Sequence, residues 1–421
     1  MYKRQLELLV FNVMGGTGKT FDTVKLYSYY SDKVKVEIID PNAKPHLVDK
    51  YGMKQGNIIY LAYGDKDGVK AESRINEMTE EAITNAIVKL TRGAAKKMYY
   101  AIGHGEPDLE AQDQRGLNLF VGAVGDEHMI IEPINLAQKG SVPDDAAALV
   151  LVSPKTPYFP EEKTAITDYA DKGGKLLIMR DPGYPAVSTD LKEIAAHYGI
   201  NLGDDLVLDT VMQLFAGPSI AVQFMASSIE QHPITDTLSK RDLPIMNLAS
   251  SVQIGERKEG ATYTELFKSS PKGWAENDIQ AIFTEKEPVV SVDASDTKGP
   301  VSLAVAYEKE VVSPSSKKDS SSEPSYEEGS DKIFTRVVVV GDSDWMTNGL
   351  FQQAVHRDLA LNTLNWLVGE SSSIAIRPKK FKSNFARLPK ETYYIVLGSG
   401  FFVPEMVLLF GLLVWWRRKT A

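Results

Sequence analysis

Cysteine is absent from the 421 residues of this chain. Thiolate catalysis, disulfide bonds and zinc sites with sulfur ligands are therefore excluded. A basic stripe with interleaved aromatic residues is also missing, and the formal net charge is -9. A nucleic-acid partner is not expected, because binding to a phosphate backbone depends on such a surface. With 43% apolar and 24% charged residues, the chain is long enough for two or three packed domains.

The N-terminus lacks the pattern of a cleavable signal peptide. Residues 6–14 form an apolar run, but Glu7 interrupts it and no small-residue cleavage site follows. The pattern favours a first β-strand instead.

The clearest signal in the sequence is an apolar run at residues 393–416, in which Glu405 is the one charged residue. A helix of this length, at about 1.5 Å per residue, can cross a hydrocarbon core of about 30 Å. Paired tyrosines begin the run and paired tryptophans end it, as at the two interfaces of a membrane. The run predicts a transmembrane helix, with the basic tail at 417–421 in the cytoplasm and the preceding residues outside. The alternative is a long core helix.

Two features accompany this predicted helix. Pro404 and Glu405 lie within the span, where a carboxylate is costly unless it faces a protein partner or a cavity. Glu405 is expected either to contact a permease subunit or to lie near the outer interface. Residues 371–392 form a basic linker, which favours attraction to anionic membrane lipid.

Residues 1–93 are predicted to form a first domain with the element order βαβαββα. This order is that of a thioredoxin-like α/β domain, which without cysteine would have no redox activity. The predicted strands are at 6–12, 34–39, 57–63 and 68–74, and the predicted helices are at 20–30, 45–51 and 79–91.

Residues 94–370 are predicted to form a second α/β domain. Compact apolar runs alternate with helical patterns, which predicts a parallel sheet covered by helices. A β-rich elaboration is expected at 216–310, and a mobile loop at 312–331, where the sequence is too polar to bury a core. The predicted main strands are at 98–102, 147–153, 175–180 and 336–340, the helices at 161–172, 188–198 and 353–367, and the elaboration strands at 248–254, 280–283 and 301–307.

A glycine-rich stretch, GGTGKT at 15–20, follows a predicted strand and opens a predicted helix. Backbone amides cradle phosphates in such a setting. The standard pattern requires glycine where Val13 stands, however, and a variant pattern requires lysine where Met14 stands. The stretch therefore has two possible interpretations: a nucleotide-binding loop and a simple glycine-rich turn. The candidate nucleotide-binding residues are Gly18, Lys19 and Thr20.

Polar side chains follow three of the predicted parallel strands. His104 and Glu106 come after the first of these strands, and Asp181 comes after another. Asp342 and Asp344 follow the last one. Open α/β sheets place ligands at the carboxyl ends of their strands, so these residues form a candidate outward-facing binding site for a small molecule such as a carbohydrate, or for a cation. The alternatives are acid–base chemistry by the first pair and helix capping by the aspartates.

No motif for a catalytic nucleophile accompanies these residues, because the sequence has no Gly-x-Ser-x-Gly elbow. The histidines are not at metal-ligand spacing either. We therefore assign no catalytic residue, metal or cofactor, and we expect a chain that is not an enzyme.

Seven segments are informative when taken together: KVKVEIIDPNAKPHLVDKYG at 33–52, MTEEAITNAIVKLTRG at 78–93, AIGHGEPDL at 101–109, ITDYADKGGKLLIMRDPG at 166–183, YGINLGDDLVLD at 198–209, VVVVGDSDWMTNGLF at 337–351 and RDLALNTLNWLVG at 357–369. In content and order they resemble the GldG-like (gliding-motility-associated) ABC transporter auxiliary proteins. The resemblance implies a glutamine-amidotransferase-like sheet without the catalytic cysteine. It also implies an extracytoplasmic location and partnership with an ABC permease and a cytoplasmic ATPase.

These observations lead to the hypothesis of a non-catalytic auxiliary subunit, of substrate-binding type, in an ABC transport system. It would be anchored in a bacterial inner membrane with its domains in the periplasm. Members of the resembling family usually begin with another transmembrane helix, so this N-terminus is expected to be incomplete. Two alternatives are open: a membrane-tethered P-loop-like nucleotide-binding protein and a structural component of the cell envelope.

Overall fold

A computed structural model describes residues 5–11, 19–51, 58–65, 68–76, 79–91, 95–183, 190–211, 222–238, 243–285, 290–311, 333–353, 355–369, 405–406 and 408–420. The chain divides into two compact units, Met1–Ile376 and Arg377–Ala421.

The first unit is a mixed α/β structure. In chain order its strands are β1 (Gln5–Phe11), β2 (Val34–Ile39), β3 (Ile58–Asp65), β4 (Gly68–Ile75), β5 (Lys96–Ala101), β6 (Met129–Ile134), β7 (Ala146–Val152), β8 (Lys175–Met179), β9 (Ile200–Leu202), β10 (Leu206–Leu208), β11 (Gln223–Met225), β12 (Ser228–Ile229), β13 (Ile245–Asn247), β14 (Val252–Ile254), β15 (Ala261–Lys268), β16 (Trp274–Glu276), β17 (Thr297–Lys298), β18 (Ser302–Val311) and β19 (Ile333–Val340). Its helices are α1 (Lys19–Tyr30), α2 (Pro45–Tyr51), α3 (Glu80–Thr91), α4 (Asn118–Asp126), α5 (Leu136–Lys139), α6 (Pro160–Asp171), α7 (Asp190–His197), α8 (Gln280–Thr284) and α9 (His356–Leu367), with a 3-10 turn at Asp344–Met346.

The N-terminal elements follow the order βαβαββα that the sequence predicts. In the described residues β1 to β4 form one sheet in the order β2-β1-β3-β4. β1 is parallel to β2 and antiparallel to β3, and β3 is antiparallel to β4. Alternate residues of β1 pack on opposite layers: Leu8 joins the core with α1 and α3, whereas Leu9 joins the core with α2.

The main sheet has eight strands among the described residues, in the order β12-β15-β18-β19-β8-β7-β5-β6. The strands β6, β5, β7, β8 and β19 are mutually parallel, and the remaining three continue the sheet in antiparallel pairing. Counted along the chain, the parallel strands lie in the order 2-1-3-4-5, so the strand order reverses between β5 and β7. The predicted return of the late strand to this sheet is confirmed, because β19 pairs with β8.

Helices cover both faces of the parallel part of this sheet. Met98 and Tyr100 of β5 belong to a core that includes residues of α4 and α9. Tyr99 and Ala101 of the same strand belong to a second core that includes residues of α6 and α7. Burial on both faces accounts for the nearly continuous apolar runs of these strands.

One predicted strand is wrong. Residues 280–283 lie in α8, not in a strand. Ile282 and Phe283 pack in a small cluster with Leu206, Leu208 and Trp274. A short apolar run is too short to show whether its apolar residues repeat with the period of a strand or of a helix. Packing against these neighbours therefore decides the conformation. The predicted mobile loop at 312–331 and the linker at 371–392 lie outside the described residues.

The C-terminal unit is described only in part. Residues 408–420 are helical, and their side chains are exposed. Most of the predicted transmembrane run, including Pro404, lies outside the described residues. Within the described part of the chain, no helix combines the length and apolar character needed to cross a membrane.

Candidate functional site

The five candidate residues lie where the sequence predicts, at the carboxyl ends of the parallel strands. His104 and Glu106 follow β5 and Asp181 follows β8, while Asp342 and Asp344 follow β19. The loop with His104 lies at the point where the strand order reverses. Open α/β sheets most often bind their ligands in this crevice.

His104 lies between two glutamates in this crevice. Its Nε2 is 3.1 Å from Oε2 of Glu162, and its Nδ1 is 3.7 Å from Oε1 of Glu106. The side chains of Glu106 and Glu162 are 2% and 1% exposed, and that of His104 is 6% exposed. The ring of Tyr158 contacts the imidazole edge-on, with 4.6 Å between ring centroids. We call His104, Glu106, Tyr158 and Glu162 the histidine cluster.

The loops after β5 and β7 are tied together around this cluster. The backbone N–H groups of Lys155 and Thr156 both donate to the carbonyl oxygen of His104, at 2.7 and 3.1 Å. Gly105 has a positive φ of 87°, and a Cβ atom there would lie 3.1 Å from the side chain of Lys155. Glycine is therefore favoured at this position, chiefly because other residues rarely adopt this φ and also because a Cβ atom would fit tightly against Lys155. The same loop closure buries the imidazole.

The histidine cluster has unused hydrogen-bonding capacity. Among the described residues, one buried polar atom on each of its four members lacks a partner: His104 Nδ1, Glu106 Oε1, Tyr158 OH and Glu162 Oε1. Buried polar groups of this kind normally pair with ordered water or a polar ligand. Burial raises the pKa of Tyr158 well above its ordinary value, and Glu106 and Glu162 raise it further, so the hydroxyl remains a donor. The cluster can therefore hold one small polar group or share a proton.

The three aspartates form a second group at the same edge. Both oxygens of Asp181 accept from Ser343, one from the backbone N–H at 2.6 Å and one from the hydroxyl at 2.7 Å. Asp342 is fully buried and accepts from the backbone N–H groups of Asn247 and Asp344, each at 2.7 Å. The side chain of Asn247 also donates to Asp344, at 2.5 Å. These aspartates thus tie β19 to β8 and to β13.

Burial has the largest effect on the pKa values of Asp342 and Asp344. It raises the pKa of Asp342 well above the ordinary value, and the charges of Asp344 and Asp181 raise it further. The pKa of Asp344 is raised by burial and by Asp181, while Asn247 opposes the increase. The backbone donors to Asp342 also favour its ionised form, but desolvation is the larger effect.

The side chains of the five candidate residues are largely withdrawn from solvent. His104, Glu106 and Asp342 are buried, and Asp181 and Asp344 are partly buried. Their carboxylates are largely engaged by neighbouring loops, because hydrogen-bond donors lower the cost of burying a charge. Among the described residues, no set of three or more His, Asp or Glu side chains is arranged to hold a metal ion.

Sequence reasoning missed four partners of the site: Tyr158, Glu162, Asn247 and Ser343. Glu162 had a detectable local signal, because Pro160 and the following glutamates mark the start of a helix. Its carboxylate accepts from the backbone N–H of Phe159 at 2.9 Å and so caps α6. Its approach to His104 depends on the packing of α6 against the main sheet, which no local pattern indicates.

The other candidate residues are only partly described. Gly18 lies outside the described residues, and Lys19 and Thr20 begin α1, with side chains that are not described. Glu405 is helical and exposed.

Two solved structures are similar to this chain at low levels. The N-terminal domain of mmIFT52 matches with 10% identity and a TM-score of 0.42, over 64% of this chain and 97% of that one. A Thermoplasma acidophilum protein, proposed to be part of a GMP synthase, matches with 10% identity and a TM-score of 0.32, over 65% and 94%. Similarity this low carries no inference about activity. Among curated proteins, none matches the chain.

A protein-family model covers the site and the sheet that carries it. The model, described as an ABC-type uncharacterized transport system, matches residues 95–366, which are more than half of the chain. This range runs from β5 to α9 and contains both the histidine cluster and the aspartate group. The chain belongs to this family of auxiliary components of ABC transport systems.

Proposed function

We propose that this chain is a non-catalytic auxiliary subunit, of GldG-like type, that couples an extracytoplasmic binding domain to an ABC permease and its ATPase. The observation that carries the proposal is the family match over residues 95–366. It encloses the whole parallel sheet and the crevice at its carboxyl edge.

The crevice supports a binding role better than a catalytic one. The imidazole and both glutamates of the histidine cluster are buried beneath their own loops. A general acid or base must reach the reacting group of a substrate. The imidazole and the two carboxylates lie close to one another instead. Loop opening would expose their free donors and acceptors to a small polar ligand such as a carbohydrate.

The finer fold assignments belong to the same proposal. The order β2-β1-β3-β4, with β3 antiparallel to β1, supports a thioredoxin-like first domain. The parallel sheet with helices on both faces supports a glutamine-amidotransferase-like second domain. Neither would carry the cysteine chemistry that these folds can support, because the chain has no cysteine.

The proposed membrane anchor is the apolar run at residues 393–416. In its described part, Leu408, Phe410 and Trp416 are among the large apolar side chains that are more than half exposed. Exposure of large apolar groups around a helix favours contact with lipid or with apolar partner helices. The basic tail would then lie in the cytoplasm of a bacterial cell, and the first unit in the periplasm.

Nucleotide binding at the GGTGKT stretch is the alternative with a specific test. The alternating burial of β2 and the antiparallel neighbour on the other side of β1 disfavour a nucleotide-hydrolysing core, whose central strands are parallel and buried on both faces. Titration with ATP should show no saturable binding by the wild-type chain. Binding that is lost in Lys19→Ala would favour the alternative.

Co-purification from native membranes tests the proposal directly. The tagged full-length chain, extracted in mild detergent, should retain a permease and an ATPase, and a variant lacking residues 393–421 should lose them. Recovery of cell-envelope structural proteins alone would favour the structural alternative. Recovery of the transporter by the truncated variant would place the contact within residues 1–392.

A further inference from the structure

A second concave site lies beside the antiparallel strands of the main sheet. It is a groove of about 500 Å³ between the end of β14, the strand β15 and the segment that leads into β18. Small-molecule sites commonly have volumes of about 300–1,000 Å³. The polar side chains that line it are Gln253, Arg257, Glu265, Thr297 and Ser302, and the apolar ones are Ile254, Pro300 and Val301.

Arg257 is held in position at this groove. Its guanidinium carbon lies 5.2 Å from the centroid of the Tyr263 ring. Tyr263 is itself fixed, because its hydroxyl donates to the carbonyl of Tyr198 at 2.8 Å and accepts from the backbone N–H of Lys258 at 3.0 Å. A guanidinium placed on a fixed aromatic ring loses less freedom when it binds an anion.

The charged side chains that line the groove are Arg257 and Glu265. Glu265, its one acidic side chain, pairs with Lys268 at 2.7 Å. Within the described ranges, Arg257 forms no salt bridge with a carboxylate. Its planar donors therefore remain available to an anionic group, and two parallel N–H donors match a carboxylate especially well.

Ser302 supplies an independent sign of a ligand. The residue lines the groove and is only 5% exposed, and its buried hydroxyl oxygen has no hydrogen-bond partner among the described residues. Next to it, the pairing of β15 with β18 is irregular between Glu265 and Lys268. Bulges of this kind re-aim side chains and are enriched beside binding sites.

We propose that this groove binds a small organic carboxylate that also carries hydroxyl groups, which is the chemistry of a sugar acid. Arg257 binds the carboxylate, and Gln253, Thr297 and Ser302 exchange hydrogen bonds with the hydroxyl groups. Ile254, Pro300 and Val301 contact the carbon skeleton. The inference does not depend on the proposed transport role, because binding is a property of the chain alone.

Calorimetric titration of the purified full-length chain with D-glucuronate tests the proposal. We expect one saturable site, and at least about tenfold weaker binding in Arg257→Gln, because a charge-assisted bidentate contact is lost. Ser302→Ala should weaken binding by roughly fivefold, the effect of about one hydrogen bond. Lys258→Gln is the matched control, since it removes the adjacent cation but not a lining residue and should leave the affinity unchanged.

Three outcomes would overturn the proposal. They are the absence of saturable glucuronate binding by the wild type, equal affinity in Arg257→Gln, and equal affinity for neutral methyl glucoside or for inorganic phosphate. Thermal unfolding of each variant confirms that it is folded. Arg257 is exposed, so its replacement should leave the unfolding temperature within a few degrees of wild type.

Discussion

Nε2 of His104 lies 3.1 Å from Oε2 of Glu162, and both side chains are buried. The same carboxylate caps α6 through the backbone N–H of Phe159. One glutamate therefore joins the start of a helix to the loop at the point where the strand order reverses. The crevice of the sheet and the packing of α6 are coupled through this pair.

Replacement of Glu162 by alanine should destabilise the chain strongly. The change removes the nearer of the two carboxylates beside His104 and the acceptor at the start of α6. A buried polar group left without its partner costs about 1–3 kcal/mol of unfolding free energy, and loss of a helix cap costs about 1 kcal/mol more. Urea unfolding of the full-length chain in detergent measures the effect.

The control is Glu161→Ala, which replaces the exposed neighbour and should change the unfolding free energy by less than about 0.5 kcal/mol. Equal losses in both variants would contradict the role of the pair.

His356 should make the chain less stable in mild acid. It is fully buried, its Nε2 accepts from the backbone N–H of Ile245 at 2.9 Å, and burial lowers its pKa. The unfolded chain then binds a proton near pH 6.5 that the folded chain does not bind. The unfolding free energy should therefore fall as the pH drops through this value.

Variants at two histidines measure this pH dependence. In His356→Gln the decrease in unfolding free energy between pH 7 and pH 5 should be smaller than in the wild type. Burial also lowers the pKa of His232, to about 4, so His232→Gln should reduce the slope in the same direction. A slope that is the same in the double variant and the wild type would show that other groups control it.

Asp344 should have the opposite pH dependence. Burial and the charge of Asp181 raise its pKa, so the folded chain retains a proton that the unfolded chain has already released. As the pH rises above the ordinary aspartate pKa of about 3.9, the folded state therefore loses stability until the folded carboxyl group ionises. Asp344→Asn removes this group, so the variant should gain stability relative to wild type between pH 4 and pH 7. A difference that does not change with pH would contradict the assignment.

The C-terminal helix should hold the chain in the membrane. Leu409 and Leu413 are exposed apolar residues of its described part. An arginine at the centre of a transmembrane helix costs about 2.5–3.5 kcal/mol, so Leu409→Arg with Leu413→Arg should release the chain from membranes washed with alkaline carbonate. Thr420→Arg, in the basic tail, is the control and should remain in the membrane pellet. Retention of the double variant would contradict the predicted anchor.

Local patterns were sufficient for much of the secondary structure. At residues 5–91 the alternation of Leu6, Leu8 and Val10 with Leu9 and Phe11 reflects a strand buried on both faces, and the order of the seven described elements was predicted correctly. The local pattern predicted a strand at 280–283, where the structure has a helix. Four residues are too few to distinguish the period of a strand from that of a helix.

For the candidate site, the sequence predicted the position of the residues but not their contacts. His104, Asp181 and Asp342 each follow a parallel strand, and parallel strands end at the same edge, so the sequence alone placed them together. It did not predict that Ser343 would occupy both oxygens of Asp181, or that Asn247 would reach Asp344 from β13. These contacts depend on sheet order and loop packing.

The sequence by itself determined the class of the fold, five strands of the main sheet (β5, β7, β8, β18 and β19) and the absence of cysteine chemistry, because these depend on composition and short-range periodicity. It did not predict β6, β12 and β15. Only the tertiary structure decided that Glu162 and Tyr158 would enclose His104, and that Arg257 and Ser302 would line one groove. Such contacts join segments far apart in the chain. Their geometry is set by the order of strands in the sheet and by the packing of helices on it.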